Sequence, residues 1–184
     1  MRVLLCVGCN AYEHATALFG AEADATRIYR ALISENAGGY DDSVSELKLS
    51  PTLGELREAV RQTLFRSTER IDTFTFFFAG HGAVQAGGFY MWLRDTTASA
   101  QSMTGFSLSE LLRGVAEAGP SQTNIIIDAC HSGGLIKDLS GLLAADRMGR
   151  PTALALLFLR PRRQINTLTR TAGADMEQQQ YWTA

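Results

Sequence analysis

The sequence is short of cysteine, has no basic excess and contains no long apolar run, and each shortage excludes a class. Three cysteines in 184 residues is an odd number, unsuited to a disulfide framework and consistent with a reducing, cytoplasmic setting. No apolar stretch approaches the ~20 residues of a membrane span, so no membrane partner is expected. Val3 to Val7, after Met1-Arg2, is too short for the core of a secretory leader. Cys6-Val7-Gly8-Cys9 resembles a lipoprotein box only without the apolar stretch that must precede one. With 17 Lys and Arg against 19 Asp and Glu, and a pI near 5.9, there is no electrostatic footprint for nucleic acid. Internal repeats and low-complexity tracts are also missing.

What is present is a chain long enough for one domain, 46% hydrophobic, able to bury roughly 70% of its unfolded surface without a staple. Its charge is uneven. Residues 1–145 carry 11 Lys and Arg against 16 Asp and Glu, whereas residues 146–184 carry 6 against 3. The last segment therefore differs in character from the rest.

Arg2 to Val7 is a continuous apolar run ended by Gly8, which predicts a buried parallel strand. Ala21, Ala25, Ile28, Tyr29 and Leu32 recur at helical spacing, and Val44 to Leu49 predicts a second strand. Thr52 and Glu55 form a capping-box signature ahead of Leu53, Leu56, Val60 and Leu64. Asp72 to Ala79, with Phe74, Phe76, Phe77 and Phe78, predicts a strand whose aromatic residues pack the core. Val84 to Leu93, interrupted by Gly87-Gly88, reads as a hairpin outside the main sheet. Ser107 and Glu110 mark a further helix start, Gly119-Pro120 its end, and Thr123 to Ile127 a fourth strand. Alternating strands and helices predict an α/β fold with three α/β/α layers around a mainly parallel sheet.

The chemistry gathers at two strand ends. His81 follows the third strand within Gly80-His81-Gly82, and Cys130 follows the fourth within Asp128-Ala129-Cys130-His131-Ser132-Gly133-Gly134. The carboxyl ends of parallel strands lie on one edge of an open sheet, where ligands collect, so both residues should emerge together. A thiol must lose its proton to attack a carbonyl, and a neighbouring imidazole can take it. Flanking glycines permit tight turns and leave N–H groups free for a developing oxyanion.

Phe78-Ala79-Gly80-His81-Gly82 and Asp128-Ala129-Cys130-His131-Ser132-Gly133-Gly134 resemble the His and Cys motifs of the caspase-like cysteine peptidases, nearest the metacaspase and bacterial caspase-homologue branch. The resemblance spans roughly residues 2 to 135, with His before Cys and about fifty residues between them. It implies a cysteine endopeptidase with Cys130 as nucleophile, His81 as general base and later acid, and the backbone N–H groups of Gly82 and Cys130 as oxyanion hole. It implies a protein or peptide substrate, and a specificity pocket floored by Asp24 and Asp128. Two acids there favour Arg or Lys before the cut. No metal or other cofactor is required for the chemistry. The resemblance allows calcium activation, although no dedicated calcium loop is present.

Each residue also has a plainer reading. Asp24 near a helix start can complement the helix dipole, Asp128 can be a strand-end solvating charge, and Cys130 a buried structural thiol. His131 should point away from Cys130 on an extended segment, and His14 has no evident partner in sequence. Cys6 and Cys9 form a lone C-x-x-C, which suits packing better than zinc or redox chemistry. Function has two rivals: a non-catalytic interaction or regulatory module of the same fold, and a small-ester hydrolase, for which no G-x-S-x-G elbow is present.

The expected division is a catalytic region over residues 1–150 and a truncated or divergent tail over residues 151–184, leaving the fold incomplete at its C-terminus. Thr152 to Leu159 could form one more strand, but the basic and polar residues that follow, from Pro161 to Thr167, do not match the family's smaller second portion. Lys137, Arg147 and Arg150 lie where a basic-specific enzyme could cut itself. With permitted codons, Arg163 to Thr171 reads out of frame as Ala-Asp-Gln-Tyr-Ala-Tyr-Glu-Asp, which resembles the family's segment after its fifth strand. A frameshift near residue 160 is the expected cause, a native short variant with a divergent tail is the alternative, and a weak or inactive chain is the expected result.

Overall fold

A computed structural model describes residues 1–85 and 87–129, together with the backbone of 153–159. Five strands, β1 (Arg2–Gly8), β2 (Glu46–Leu49), β3 (Thr73–Gly80), β7 (Gln122–Ala129) and β8 (Ala153–Leu159), form one sheet in the order β2-β1-β3-β7-β8. Every pairing in it is parallel. Three further strands, β4 (Gly82–Gln85), β5 (Gly88–Met91) and β6 (Phe106–Ser107), form a separate antiparallel sheet. The helices among the described residues are α1 (Ala21–Ile33), α2 (Leu53–Phe65), α3 (Gln101–Thr104) and α4 (Leu108–Ala118).

The period of two along each strand sorts side chains between two cores. On one face Val3, Leu5 and Val7 of β1, Phe74, Phe76 and Phe78 of β3, and Ile125 and Ile127 of β7 pack with Leu56 and Val60 of α2 and Leu111 and Val115 of α4. On the other, Leu4 and Cys6 of β1 and Phe77 and Ala79 of β3 pack with Ala21 and Ala25 of α1. The three-layer α/β arrangement is thus present, and the phenylalanine run divides between both layers. β3 is buried along its whole length. Among the described residues no helix is long and apolar enough to cross a membrane.

Most predicted elements lie within a residue or two of their expected ends. The hairpin stands outside the main sheet as expected, and gains β6 as a third strand. The Thr52 capping box is complete: Thr52 Oγ1 accepts from the Glu55 N–H at 3.3 Å, and Glu55 Oε2 accepts from the Thr52 N–H at 2.7 Å. At α4 the cap is one-sided, with Ser107 Oγ accepting from the Glu110 N–H. Gly119 closes α4 in the left-handed region at φ 62°. The stretch from Ala98 to Phe106, with its 3-10 turn, α3 and β6, had no periodicity long enough to read. β8 coincides with the strand expected over Thr152 to Leu159, whereas the tail from residue 160 lies outside the described residues. Thr52→Ala removes the cap's acceptor and should lower stability by about 1 kcal/mol in urea unfolding. An unchanged midpoint would show that Asp95, whose Oδ1 also accepts from the Leu53 N–H at 3.0 Å, carries the helix start alone.

Candidate active site

The carboxyl ends of β1, β3 and β7 form one edge, as a parallel sheet requires. Along β3 and β7 the register runs to Gly80 opposite Ala129, so the residues immediately before His81 and Cys130 are direct neighbours. Cys130 itself, with His131, Gly133 and Gly134, lies outside the described residues. Gly82 is held close to the same place. A Cβ on it would lie 3.1 Å from the Ala129 Cβ and 2.5 Å from Phe89 Cζ. The glycines beside His81 therefore serve close approach rather than a positive φ, since the positive-φ glycines described are Gly39, Gly87 and Gly119.

His81 is fixed at three points. Its N–H donates to Tyr12 Oη at 2.9 Å, its carbonyl accepts from the Trp92 N–H at 2.9 Å, and its Nε2 lies 2.8 Å from the Thr16 carbonyl oxygen. A carbonyl can only accept, so this last bond requires a proton on Nε2 and, in the neutral ring, leaves Nδ1 as the acceptor. The Tyr12 ring lies against the imidazole at 4.7 Å between centroids, and Trp92 meets it edge-on at 6.0 Å. Trp92 Nε1 in turn donates to Gln101 Oε1 at 2.9 Å.

Tyr12 and Thr16 belong to the loop between β1 and α1, which is held by hydrogen bonds to its surroundings. Buried Ser50 accepts from the N–H groups of Asn10 and Ala11 at 3.1 and 3.0 Å, and its hydroxyl donates to Glu22. Ser50 adopts φ 43°, and it is the one non-glycine residue described with positive φ. Such a conformation costs on the order of 1–3 kcal/mol and persists where the surroundings over-determine it. Asn10 accepts at its carbonyl from the Leu18 N–H and at Oδ1 from the Glu22 N–H, and the Glu13 N–H donates to the Arg94 carbonyl.

Asp24 sits in the first turn of α1, half-buried and ion-paired with exposed Arg27. Asp128, at the end of β7, is also half-buried. Burial first, then the negative charge of Asp24, push its carboxyl above the ordinary aspartate range. The fold thus brings the two acids within electrostatic reach of one another. Burial pushes the Cys6 thiol up to about 12. It raises Cys9 also, against partial opposition from the hydroxyls of Tyr12 and Ser50. A raised thiol withholds the thiolate that metal or redox chemistry needs. His14 is exposed.

Sequence reasoning missed Tyr12, Thr16, Trp92 and Ser50. The available signal was positional, because Cys9-Asn10-Ala11-Tyr12 directly follows β1 at the edge where His81 emerges. A search among curated proteins returned no match to this chain. The family model described as caspase domain matches residues 1–179. That match runs through β1, the His81 strand, the Cys130 segment and β8, and the chain belongs to the caspase-domain family of peptidases.

Proposed function

We propose that this caspase-domain protein is a cysteine endopeptidase of the metacaspase-like kind, cutting protein or peptide chains after Arg or Lys. The observation that carries the reading is the register of Gly80 with Ala129, which makes the strand ends before His81 and Cys130 neighbours. His81 Nδ1, the acceptor nitrogen when Nε2–H bonds to Thr16, takes the thiol proton of Cys130. The sulfur attacks the scissile carbonyl, and the oxyanion is met by the backbone N–H groups of Gly82 and Cys130. The imidazolium then returns its proton to the leaving amine. Water, deprotonated by the same nitrogen, releases the acyl group and regenerates the thiol.

Asp24 and Asp128 supply the two charges that a guanidinium or ammonium side chain would meet. The cation would take over from Arg27 at Asp24, and it would lower the raised carboxyl of Asp128. These steps need no metal or other cofactor, and a thiol nucleophile suits a reducing cytoplasm. A panel of fluorogenic peptides incubated with the purified chain, with and without calcium, tests the reading. Release after Arg or Lys is expected, with none after Asp. An inert chain whose Cys130 also fails to react with an Arg-terminated electrophile would instead be a non-catalytic module of the same fold.

A further inference from the structure

We propose that Tyr12 is a positioning residue for the His81 imidazole, acting by splitting the last hydrogen bond between β1 and β3. β1 and β3 run in parallel register as far as Gly8 opposite Ala79, and the Cys9 N–H still donates to the Ala79 carbonyl at 2.9 Å. In a parallel ladder the next bond runs from the His81 N–H to the Cys9 carbonyl. That bond is replaced by two. The His81 N–H donates to Tyr12 Oη at 2.9 Å, and the Tyr12 hydroxyl donates to the Cys9 carbonyl at 2.9 Å. A phenol oxygen therefore stands between the strands at the point where the imidazole begins.

Two further observations tie this insertion to the ring. A Cβ at Gly80 would lie 2.9 Å from Tyr12 Oη, so the hydroxyl occupies space that only a glycine leaves open. The aromatic ring of the same residue lies against the imidazole, and Tyr12 shares its loop with Thr16, whose carbonyl fixes the ring proton. Tyr12 thus joins the backbone that carries the base to the loop that orients it. Phenylalanine at this position keeps the ring and removes the spacer, which lets the His81 N–H close on the Cys9 carbonyl and draws the imidazole off the Thr16 acceptor.

This inference rests on His81 being the base of the proposed peptidase, so the test has two readouts. With the full chain and an Arg-terminated fluorogenic peptide, Tyr12→Phe should lower kcat about tenfold, the scale of one lost hydrogen bond at a positioned base, and leave KM within about twofold. Nitrogen-15 NMR of the imidazole in the unliganded chain should show a single Nε2–H tautomer in the wild type and a mixture in Tyr12→Phe. A purely structural tyrosine would lower the melting temperature without changing the tautomer. Unchanged nitrogen shifts in Tyr12→Phe overturn the proposal, whatever kcat does, and so does loss of the fold in that variant. If Cys130 of the wild type fails to react with an Arg-terminated electrophile, or Cys130→Ala keeps turnover, the peptidase reading fails and the tautomer still decides the role of Tyr12.

Discussion

Replacing Cys130 by alanine should remove essentially all turnover, by at least about a thousandfold, while leaving the melting temperature close to that of the wild type. On the proposed mechanism the loss is large because the acyl group is carried on the Cys130 sulfur. Cys6 and Cys9 make the contrast informative. Both are fully buried and both thiols are raised, Cys6 to about 12, so neither is ready to ionise at neutral pH. Cys6→Ala and Cys9→Ala should therefore keep kcat and lose stability through the vacated core volume. Kinetics and thermal unfolding of the three variants separate the roles. Turnover surviving in Cys130→Ala but lost in either of the others would place the nucleophile elsewhere.

Asp128→Asn should lower kcat/KM for Arg peptides at least about tenfold, since losing one partner of a desolvated charge pair typically costs ~2–5 kcal/mol. Its stability should move the other way. The Asp128 carboxyl is raised in the folded chain by burial and by Asp24. Its ionised form therefore disfavours the fold, and stability contributed at this site falls as pH rises from the unfolded aspartate value through the raised one. Asparagine removes that cost, so the variant should melt no lower than wild type at neutral pH. Substrate binding has the opposite pH dependence. A protonated Asp128 offers no charge to a guanidinium, so KM for Arg peptides should rise as pH falls through its raised pKa. Asp128→Asn should flatten that rise. Efficient cutting after Asp with none after Arg would sink the pocket assignment altogether.

The residues that were legible in the sequence are those whose signal is local and repeated. β1 announces itself as a continuous apolar run, β3 as a β-branched and aromatic one, and Thr52 with Glu55 announces the start of α2, because a strand period or a cap needs only its own neighbours. His81 and Cys130 were legible through the strand ends they follow and the motifs around them. Tyr12, Thr16 and Trp92 were not, because their roles depend on one hydroxyl, one carbonyl and one ring edge brought to His81 from other segments. The use of Gly80 and Gly82 was misread for a related reason. Sequence suggests turns at glycines, whereas here the missing Cβ makes room for Tyr12 Oη and Ala129. Asp24 and Asp128 were named through the family resemblance, while the effect of the Asp24 charge on Asp128 emerged only from the fold.

The strand order has a consequence during synthesis. β1 bonds to β3, and more than sixty residues separate them. At about 5–20 residues per second, the ribosome leaves the apolar face pair of Val3 to Val7 without its central neighbour for several seconds. When Phe74, Phe76, Phe77 and Phe78 emerge, they too wait for β7, some forty residues later, to cover their other edge. Each interval exposes a strand that the finished sheet buries on both faces, and long-range parallel pairing closes slowly. Soluble yield of this chain should accordingly depend on translation speed and on holding chaperones, and slower initiation at lower temperature should recover more of it than a faster promoter.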